Sequence, residues 1–252
     1  MRRWLIAAAL ALAAVGLAAC GAGEEEPQPT PTGLAASPTA VPEGDFIAID
    51  APAQGATVTV PVRVEGRARV FEGALLVAIR DAQGSVLCEM PAQATTAAPG
   101  VGTWAVDLAF PPPSSAPVDA TIEAYSESPR DGSVENLVSV SVTLSPDPPP
   151  IVVTQPRCGD QLSSTFHLEG TASVPNGELV VVVRGYPGAM DLARETIRAS
   201  DVAPARGSFS ADLILPPIWS SPMPTVVEVF SLNPDDGSPE NVFSVPITLD
   251  VR

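Results

Sequence analysis

The chain contains one segment twice. Residues 123–136 read EAYSESPRDGSVEN, and residues 228–241, which lie 105 positions further along, read EVFSLNPDDGSPEN. A period of this length is far too long for a solenoid repeat and equals the length of a whole small β domain. The correspondence continues upstream, where VEG 64–66 aligns with LEG 168–170 and LLVAIR 75–80 aligns with LVVVVR 179–184. We therefore predict two copies of one domain, over residues 46–145 and 151–252.

Inside each copy the apolar residues recur with the period of β strands. From residue 62 to residue 70, apolar side chains alternate with charged ones, which indicates one buried and one solvated face. Residues 75–79 are apolar on both faces, as in a central strand, and further alternating runs predict more strands, at 104–110, 122–125 with Glu123 and Tyr125 outward, 138–144 and 243–249. Helical periodicity is absent after residue 20. The predicted fold class is all-β, with two tandem immunoglobulin-like sandwiches.

The N-terminal residues 1–19 have the pattern of an export signal. Arg2 and Arg3 precede an apolar run of about thirteen residues, which is too short to span a bilayer. The run ends in LAACG at 17–21, which resembles the bacterial lipoprotein signal. That resemblance implies cleavage before Cys20, attachment of lipid to its thiol, and a location at the cell membrane, facing the extracytoplasmic side.

Two segments have the composition of linkers. Residues 20–45 are rich in Gly, Pro, Thr and Glu and cannot bury enough apolar surface to offset their ordering entropy, so we expect a mobile tether. Residues 146–150 read PDPPP, which predicts a short, stiff connection and a semi-rigid rod of two domains. Pro246 lies inside the last strand of the second copy, and we expect it to face a sheet edge or a bulge because it cannot donate to a ladder.

Charge and cysteine content narrow the function classes. The formal net charge is −16 and no basic stripe is present, so nucleic-acid binding is not expected. An acidic surface also repels anionic lipid headgroups, which leaves the lipid itself as the membrane anchor. A disulfide is permitted outside the cytoplasm. However, Cys158 follows the domain junction by roughly 20 Å of extended chain, so we expect Cys88 and Cys158 to be separate thiols, with Cys88 partly buried.

Several motifs together resemble the immunoglobulin-like domain of bacterial spore germination proteins. They are PxxG at 52–55, VRVEGRARVFEG at 62–73, GxW at 102–104 and YSxSPRDGSVEN at 125–136. The second copy is looser, with Pro175-Asn176 in place of Phe71-Glu72, Phe209 in place of Trp104 and Phe230 in place of Tyr125. The resemblance implies the sandwich fold and a link to sporulation or germination.

The repeated segment supplies the candidate recognition loops. The Asp-Gly pairs are typical of tight turns, in which Asp bonds nearby backbone and Gly takes a positive φ. Turn structure therefore explains part of the pattern, and partner recognition is the functional alternative for the recurring polar side chains, namely Asp131, Ser133, Glu135, Asn136, Asp236, Ser238, Glu240 and Asn241. Calcium binding by the second loop is a weaker alternative, because the acids do not have the twelve-residue loop spacing.

No catalytic constellation emerges from the remaining residues. The single histidine, His167, is predicted to point to solvent, between the inward-facing Phe166 and Leu168. Glu123 and Glu228 recur on one strand, with Asp107 and Asp212 on another, but all four are predicted on solvated faces rather than paired in a cleft. We expect no catalytic residue, no metal site and no cofactor.

Two functional interpretations follow. The leading one is a non-enzymatic, lipid-anchored surface module whose tandem domains bind or space an envelope protein or polysaccharide. The other is an extracytoplasmic hydrolase or solute-binding lipoprotein with its site at the domain junction. A purely structural spacer is a third possibility.

Overall fold

The computed structural model describes residues 43–185, 190–216 and 222–250. The described residues contain sixteen β strands and two single 3-10 turns, Phe71–Gly73 and Pro175–Gly177. The first eight strands are β1 Phe46–Ala51, β2 Thr57–Val58, β3 Val62–Arg69, β4 Ala74–Asp81, β5 Val86–Gln93, β6 Gly102–Leu108, β7 Val118–Glu127 and β8 Val134–Leu144. The second eight are β9 Ile151–Gln155, β10 Gln161–Leu162, β11 Thr165–Ala172, β12 Glu178–Gly185, β13 Asp191–Arg198, β14 Gly207–Ile214, β15 Met223–Leu232 and β16 Pro239–Leu249.

The first eight strands form one sandwich of two sheets. One sheet has three strands in the order β1-β3-β6, and the other has five in the order β2-β8-β7-β4-β5. All neighbouring strands are antiparallel except the short β2, which runs parallel to β8. The inward residues of both sheets form the core, which includes Val64, Ile79, Leu108, Ile122 and Leu144. This pair of sheets is the immunoglobulin-like sandwich predicted from the alternating pattern.

The second eight strands repeat the same topology. The sheets have the orders β9-β11-β14 and β10-β16-β15-β12-β13, and β10 runs parallel to β16. Phe243, Val245, Ile247 and Leu249 all face inward on β16, as the alternation predicts. The predicted all-β fold with two tandem sandwiches is confirmed.

Close packing within the three-stranded sheet depends on a glycine at the same place in each sandwich. A Cβ on Gly66 would overlap the Ala48 carbonyl and the Trp104 ring. A Cβ on Gly170 would likewise overlap the Val152 carbonyl and the Phe209 ring. The glycine of the recurring E-G pair therefore lets an aromatic ring lie against the strand backbone.

Pro246 lies where the sheet has a free edge. It pairs with Val226 of β15 on one side, while on the other side the short β10 pairs only with Thr248 and Leu249. There the Pro246 carbonyl accepts a hydrogen bond from the backbone N–H of Gly159 at 2.8 Å. The missing proline N–H thus leaves no ladder bond unmade, as predicted for an edge position.

The expectation of separate thiols is wrong, because Cys88 and Cys158 form a disulfide. Their Cα atoms are 5.1 Å apart, and Cys88 is fully buried on edge strand β5. The sequence estimate assumed that the second domain continues away from the first in line. Instead, the turn after β9 lies against β5, so the second sandwich stands beside that edge. The two sandwiches are covalently clamped rather than joined only by a proline-rich rod.

The linker is also fastened to the second sandwich by Arg206. Its Nη2 donates to the Pro149 carbonyl at 2.6 Å, and its Nη1 donates to Thr171 Oγ1 at 3.3 Å. Burial lowers the pKa of the Arg206 guanidinium. The position aligned with it in the first copy is Val101, so this fastening belongs to the second copy alone.

Candidate functional sites

The predicted recognition loop of the first sandwich is the tip of the β7–β8 hairpin. The Ser128 N–H donates to the Ser133 carbonyl and the Gly132 N–H to the Ser128 carbonyl, both at 2.8 Å. Asp131 Oδ1 accepts from the Ser133 N–H at 3.1 Å and from its hydroxyl at 2.8 Å. Gly132 has a φ of 72°. The Asp, Gly and Ser of this loop therefore build the turn.

The β15–β16 hairpin of the second sandwich repeats this turn. The Asn233 N–H donates to the Ser238 carbonyl and the Gly237 N–H to the Asn233 carbonyl. Asp236 Oδ1 accepts from the Ser238 N–H at 2.9 Å. Hydrogen bonds from the serines hold the pKa of both Asp131 and Asp236 below the ordinary carboxyl value. These carboxylates are consequently engaged with their own loops.

The recurring asparagines have a structural role that the sequence did not reveal. Asn136 and Asn241 have φ values of 56° and 57°, a left-handed conformation that few non-glycine residues adopt. The Asn136 amide donates to Ser126 Oγ at 2.9 Å, and Asn241 donates to Ser231 Oγ at the same distance. Each pair sits where the ladder register shifts, so it supports a β-bulge. The sequence contained one signal for this role, because a serine follows the aromatic residue in both copies, as Ser126 after Tyr125 and Ser231 after Phe230.

The recurring glutamates differ between the copies. Glu240 Oε1 accepts from the Asn233 amide at 2.6 Å, which ties it to its own loop. Glu135 is exposed and borders a groove on the first sandwich. Of the eight predicted recognition residues, Glu135 is therefore the one whose carboxylate faces a concave surface without being used by the turn.

The outward carboxylates considered for hydrolysis are held by cations. Glu123 Oε2 accepts from Arg80 Nε at 2.7 Å, and Glu228 lies 3.2 Å from Nη2 of Arg184. These two glutamates are half-buried rather than solvated, because the arginine of the neighbouring strand covers them. The outcome differs from the sequence expectation of a fully wet face.

Outward carboxylates also have close nitrogen partners on the three-stranded sheets. Asp107 Oδ2 lies 2.9 Å from Arg63 Nη1, and Asp212 Oδ1 lies 2.7 Å from His167 Nδ1. His167 thus occupies the place of Arg63, and both are exposed, as predicted for the histidine. The described residues hold no group of three or more His, Cys, Asp or Glu side chains suited to a metal ion.

Tyr125 is a further correction, since its strand face was expected to be wet. Its side chain is only 8% exposed, and its hydroxyl donates to Glu89 Oε2 at 2.7 Å. Burial together with this carboxylate raises the pKa of Tyr125. Tyr125 lies opposite Leu76 of β4, and its hydroxyl reaches across that strand to Glu89 of β5.

A cleft of about 410 Å³ lies between the two sandwiches. Met90 and the Arg63–Asp107 pair line it from the first sandwich, and the Arg184–Glu228 pair lines it from the second. Each carboxylate already has an arginine partner in the cleft. The cleft is therefore nearly balanced in charge, and it borders β5, the strand that carries Cys88.

A second concave surface, here called the Phe71 groove, lies on the first sandwich alone. It measures about 340 Å³ and is lined by Phe71 and Glu72 of the 3-10 turn and by Glu127, Glu135 and Asn136 of the β7–β8 hairpin. The Phe71 side chain is 61% exposed. Sequence reasoning placed Glu135 and Asn136 in a loop but missed the groove, because it is formed by two segments far apart in the chain.

Cys20 lies outside the described residues, as do the export signal and most of the tether. Among the residues that the structure describes, no helix is long and apolar enough to cross a bilayer.

Solved structures that resemble the chain include tandem immunoglobulin modules. A titin fragment matches at 10% identity, covering 82% of this chain and 98% of that one, with a TM-score of 0.24. The N-terminal Ig1-2 module of the Drosophila receptor protein tyrosine phosphatase DLAR matches at 13% identity, covering 82% and 99%, also with a TM-score of 0.24. Latent PorU from Porphyromonas gingivalis matches at 10% identity, covering 82% and 24%, with a TM-score of 0.30.

A search of curated proteins finds no match. The family profile described as the immunoglobulin-like domain of bacterial spore germination matches two regions, residues 46–133 and 150–238. Each region covers most of one sandwich and includes the turn with its Asp-Gly pair. The chain therefore belongs to the family of immunoglobulin-like domains of bacterial spore germination and carries two tandem copies.

Proposed function

We propose that this protein is a lipid-anchored, non-enzymatic binding module on the extracytoplasmic side of a bacterial membrane. Cys20 carries the lipid, residues 21–45 form the tether, and the clamped pair of sandwiches presents the binding surface. The partner is an envelope protein or polysaccharide, and nucleic acid is disfavoured by the net charge of −16.

The disulfide between Cys88 and Cys158 is the observation that carries the proposed location. Disulfides persist in oxidising compartments and are rare in the cytosol. A bond between the two sandwiches therefore fits a protein exported before or while it folds. The LAACG sequence supplies the matching route, since lipid attachment follows export.

The absence of catalysis is proposed from the state of the acidic side chains. Glu123, Glu228 and Asp107 each lie within 3.2 Å of an arginine nitrogen. Each of these carboxylates is already engaged by an arginine of a neighbouring strand. These groups therefore suit surface structure better than proton transfer.

A role in germination or sporulation is proposed from the family alone. The family description names spore germination, and both copies match it. A tandem binding module fits such a role by holding an envelope component at a set distance from the membrane.

The inter-sandwich cleft favours one further candidate, an extracytoplasmic hydrolase or solute-binding lipoprotein. Its size falls in the range of small-molecule pockets, and polar side chains from both sandwiches converge on it. A screen of the exported protein against esterase and glycosidase substrates separates this candidate from the leading one. Turnover that is lost in an Asp107→Asn/Glu228→Gln variant would establish the hydrolase instead.

The anchoring proposal is tested by replacing the lipidated cysteine. We expect Cys20→Ala to move the protein from the membrane fraction to the soluble extracytoplasmic fraction, and metabolic labelling with palmitate to be lost. Cys158→Ala is the matched control, because it removes a cysteine without touching the signal and should stay membrane-bound. Retention of Cys20→Ala in the membrane would show that anchoring has another source.

A further inference from the structure

We propose that the Phe71 groove binds an arginine or lysine side chain presented by a partner protein. This inference rests on the binding-module function proposed above and names the chemistry of the partner. It is independent of the membrane anchor, so each proposal can fail without the other.

The walls of the groove suit the stem and the head of a basic side chain. Phe71, Leu76, Pro91 and Pro129 supply apolar surface, against which the methylene stem of arginine or lysine can pack. The exposed ring of Phe71 offers a π face, which attracts a cation placed within about 6 Å of its centre. Among the described residues, Phe71 is the one aromatic side chain that is exposed.

The rim of the groove is acidic and lacks internal cations. The lining includes four carboxylates, those of Asp45, Glu72, Glu127 and Glu135, and all four residues are exposed. Within the described part of the chain none of the four forms an ion pair, unlike the outward acids on the sheets. A cationic partner group would supply the missing charge, and the net charge of −16 would draw it in from a distance.

The second sandwich shows that the fold does not require these residues. Glu72 and Asn176 have the same left-handed backbone, with φ values of 54° and 61°, in equivalent 3-10 turns. The second copy forms that turn with Pro175 in place of the aromatic residue. The turn itself therefore does not require Phe71, and the exposed ring is available for contact with a partner.

Two further lining residues, Glu127 and Pro91, are also specific to the first copy. Leu232 stands in place of Glu127, and Thr196 in place of Pro91. The glutamate that both copies keep is neutralised in the second, where Glu240 accepts from Asn233. The sandwiches have thus diverged at this surface while keeping the same strands, and the second lacks the acids that Glu72 and Glu127 supply in the first.

The surroundings of the groove favour a protein over a free amine. On β8, next to the hairpin that borders the groove, Val134 is 56% exposed and Leu137 is 54% exposed. They flank the groove residues Glu135 and Asn136 in the chain, so exposed apolar side chains adjoin the acidic rim. A partner that presents apolar residues beside its arginine or lysine would cover both.

The test uses the full-length protein in detergent micelles and fluorescein-labelled pentapeptides. The probe is Gly-Leu-Arg-Leu-Gly, and its neutral match has citrulline in place of arginine. We expect fluorescence anisotropy to show binding of the arginine peptide that is at least about fivefold tighter than that of the citrulline peptide. Equal binding of the two peptides, or none by either, would overturn the proposal. Displacement of the probe by spermidine as readily as by unlabelled peptide would overturn the choice of a protein partner.

Two variants localise the binding to the groove. Phe71→Pro/Glu72→Asn copies the turn of the second sandwich and should fold, and we expect at least fivefold weaker binding. Glu127→Gln removes one rim charge without changing the turn, and it should weaken binding about twofold to fivefold. Glu195→Gln, an exposed acid on β13, is the charge-matched control and should bind as the wild type does. Binding that is unchanged in both groove variants would place the contact elsewhere.

Discussion

Cys158 stands in the second sandwich where Gln54 stands in the first, and both lie beside the same point of the last strand. In the first copy, Gln54 Oε1 accepts from the backbone N–H of Ser141 at 3.1 Å. In the second copy that strand position is Pro246, which has no N–H, and only its carbonyl is used, by Gly159. The proline removes the need for the glutamine, and the position is free to hold the cysteine that reaches Cys88.

The disulfide should contribute most of the coupling between the sandwiches. It closes a loop with a sequence separation of 70 residues, for which the chain-entropy estimate is about 4 kcal/mol. We expect Cys88→Ser/Cys158→Ser to lose stability up to that value and to unfold in two steps by calorimetry, because the sandwiches are no longer tied. Wild-type protein in a dithiol reductant should behave like the variant. Identical unfolding of oxidised and reduced protein would contradict the clamp.

The asparagine of each bulge should matter for stability rather than for recognition. Asn136→Ala loses the hydrogen bond to Ser126 and places alanine in the left-handed region, so we expect a loss of about 2 kcal/mol in urea unfolding. Asn136→Gly keeps the backbone conformation and should lose about half as much. If the two variants were equally stable, the left-handed backbone would not be the cause.

The glycine beneath the aromatic ring should tolerate no side chain. Gly66→Ala would push its Cβ into the Ala48 carbonyl and the Trp104 ring, and we expect a cost of about 3 kcal/mol in the free energy of unfolding. Gly185→Ala is the matched control, because the nearest atom to its added Cβ is the Met223 sulfur at 3.8 Å. A thermal shift of similar size in both variants would refute the packing argument.

The aspartates of the two turns, Asp131 and Asp236, should contribute to the loss of folding stability at acid pH. Their pKa values are lowered in the folded protein from the ordinary 3.8, so the native state binds protons more weakly than the unfolded chain. Their contribution is present above that value and is lost as the pH falls through the lower, folded values. We expect Asp131→Asn/Asp236→Asn to flatten the fall of the urea midpoint below about pH 4.

The control for that experiment is Asp235→Asn. Asp235 adjoins Asp236, but its carboxylate accepts no hydrogen bond among the described residues. If the fall of the urea midpoint at acid pH became equally shallow in this control, the cause would be the loss of a negative charge rather than the turn hydrogen bonds from Ser133 and Ser238.

The strands were predictable because their signal is local. Alternation at 62–70 and at 243–249 fixes which face of a strand is apolar, and each face was assigned correctly on both. The duplication gave a second, independent example of the same apolar alternation. Tyr125 did not follow this local pattern, and its hydroxyl bonds to Glu89, a residue two strands away in the sheet.

The candidate sites were less predictable because they depend on how distant segments meet. Sequence spacing suggested that Cys158 was far from Cys88. That estimate failed because distance along an extended chain does not give the position of a domain that turns back. The Phe71 groove joins a 3-10 turn to a hairpin more than fifty positions later. By contrast, the roles of Asp131 and Asp236 followed from turn chemistry within a few residues.

The cross-link between β5 and the turn after β9 also determines how the chain responds to force. If the protein is pulled from its two ends, tension passes from Cys88 directly to Cys158. The 69 residues between them, which include β6, β7, β8 and β9, carry no load and cannot be drawn out. Roughly 240 Å of contour length is thereby withheld from extension while the disulfide is intact. The strands that bear the β7–β8 hairpin would keep their shape while the tether is under tension.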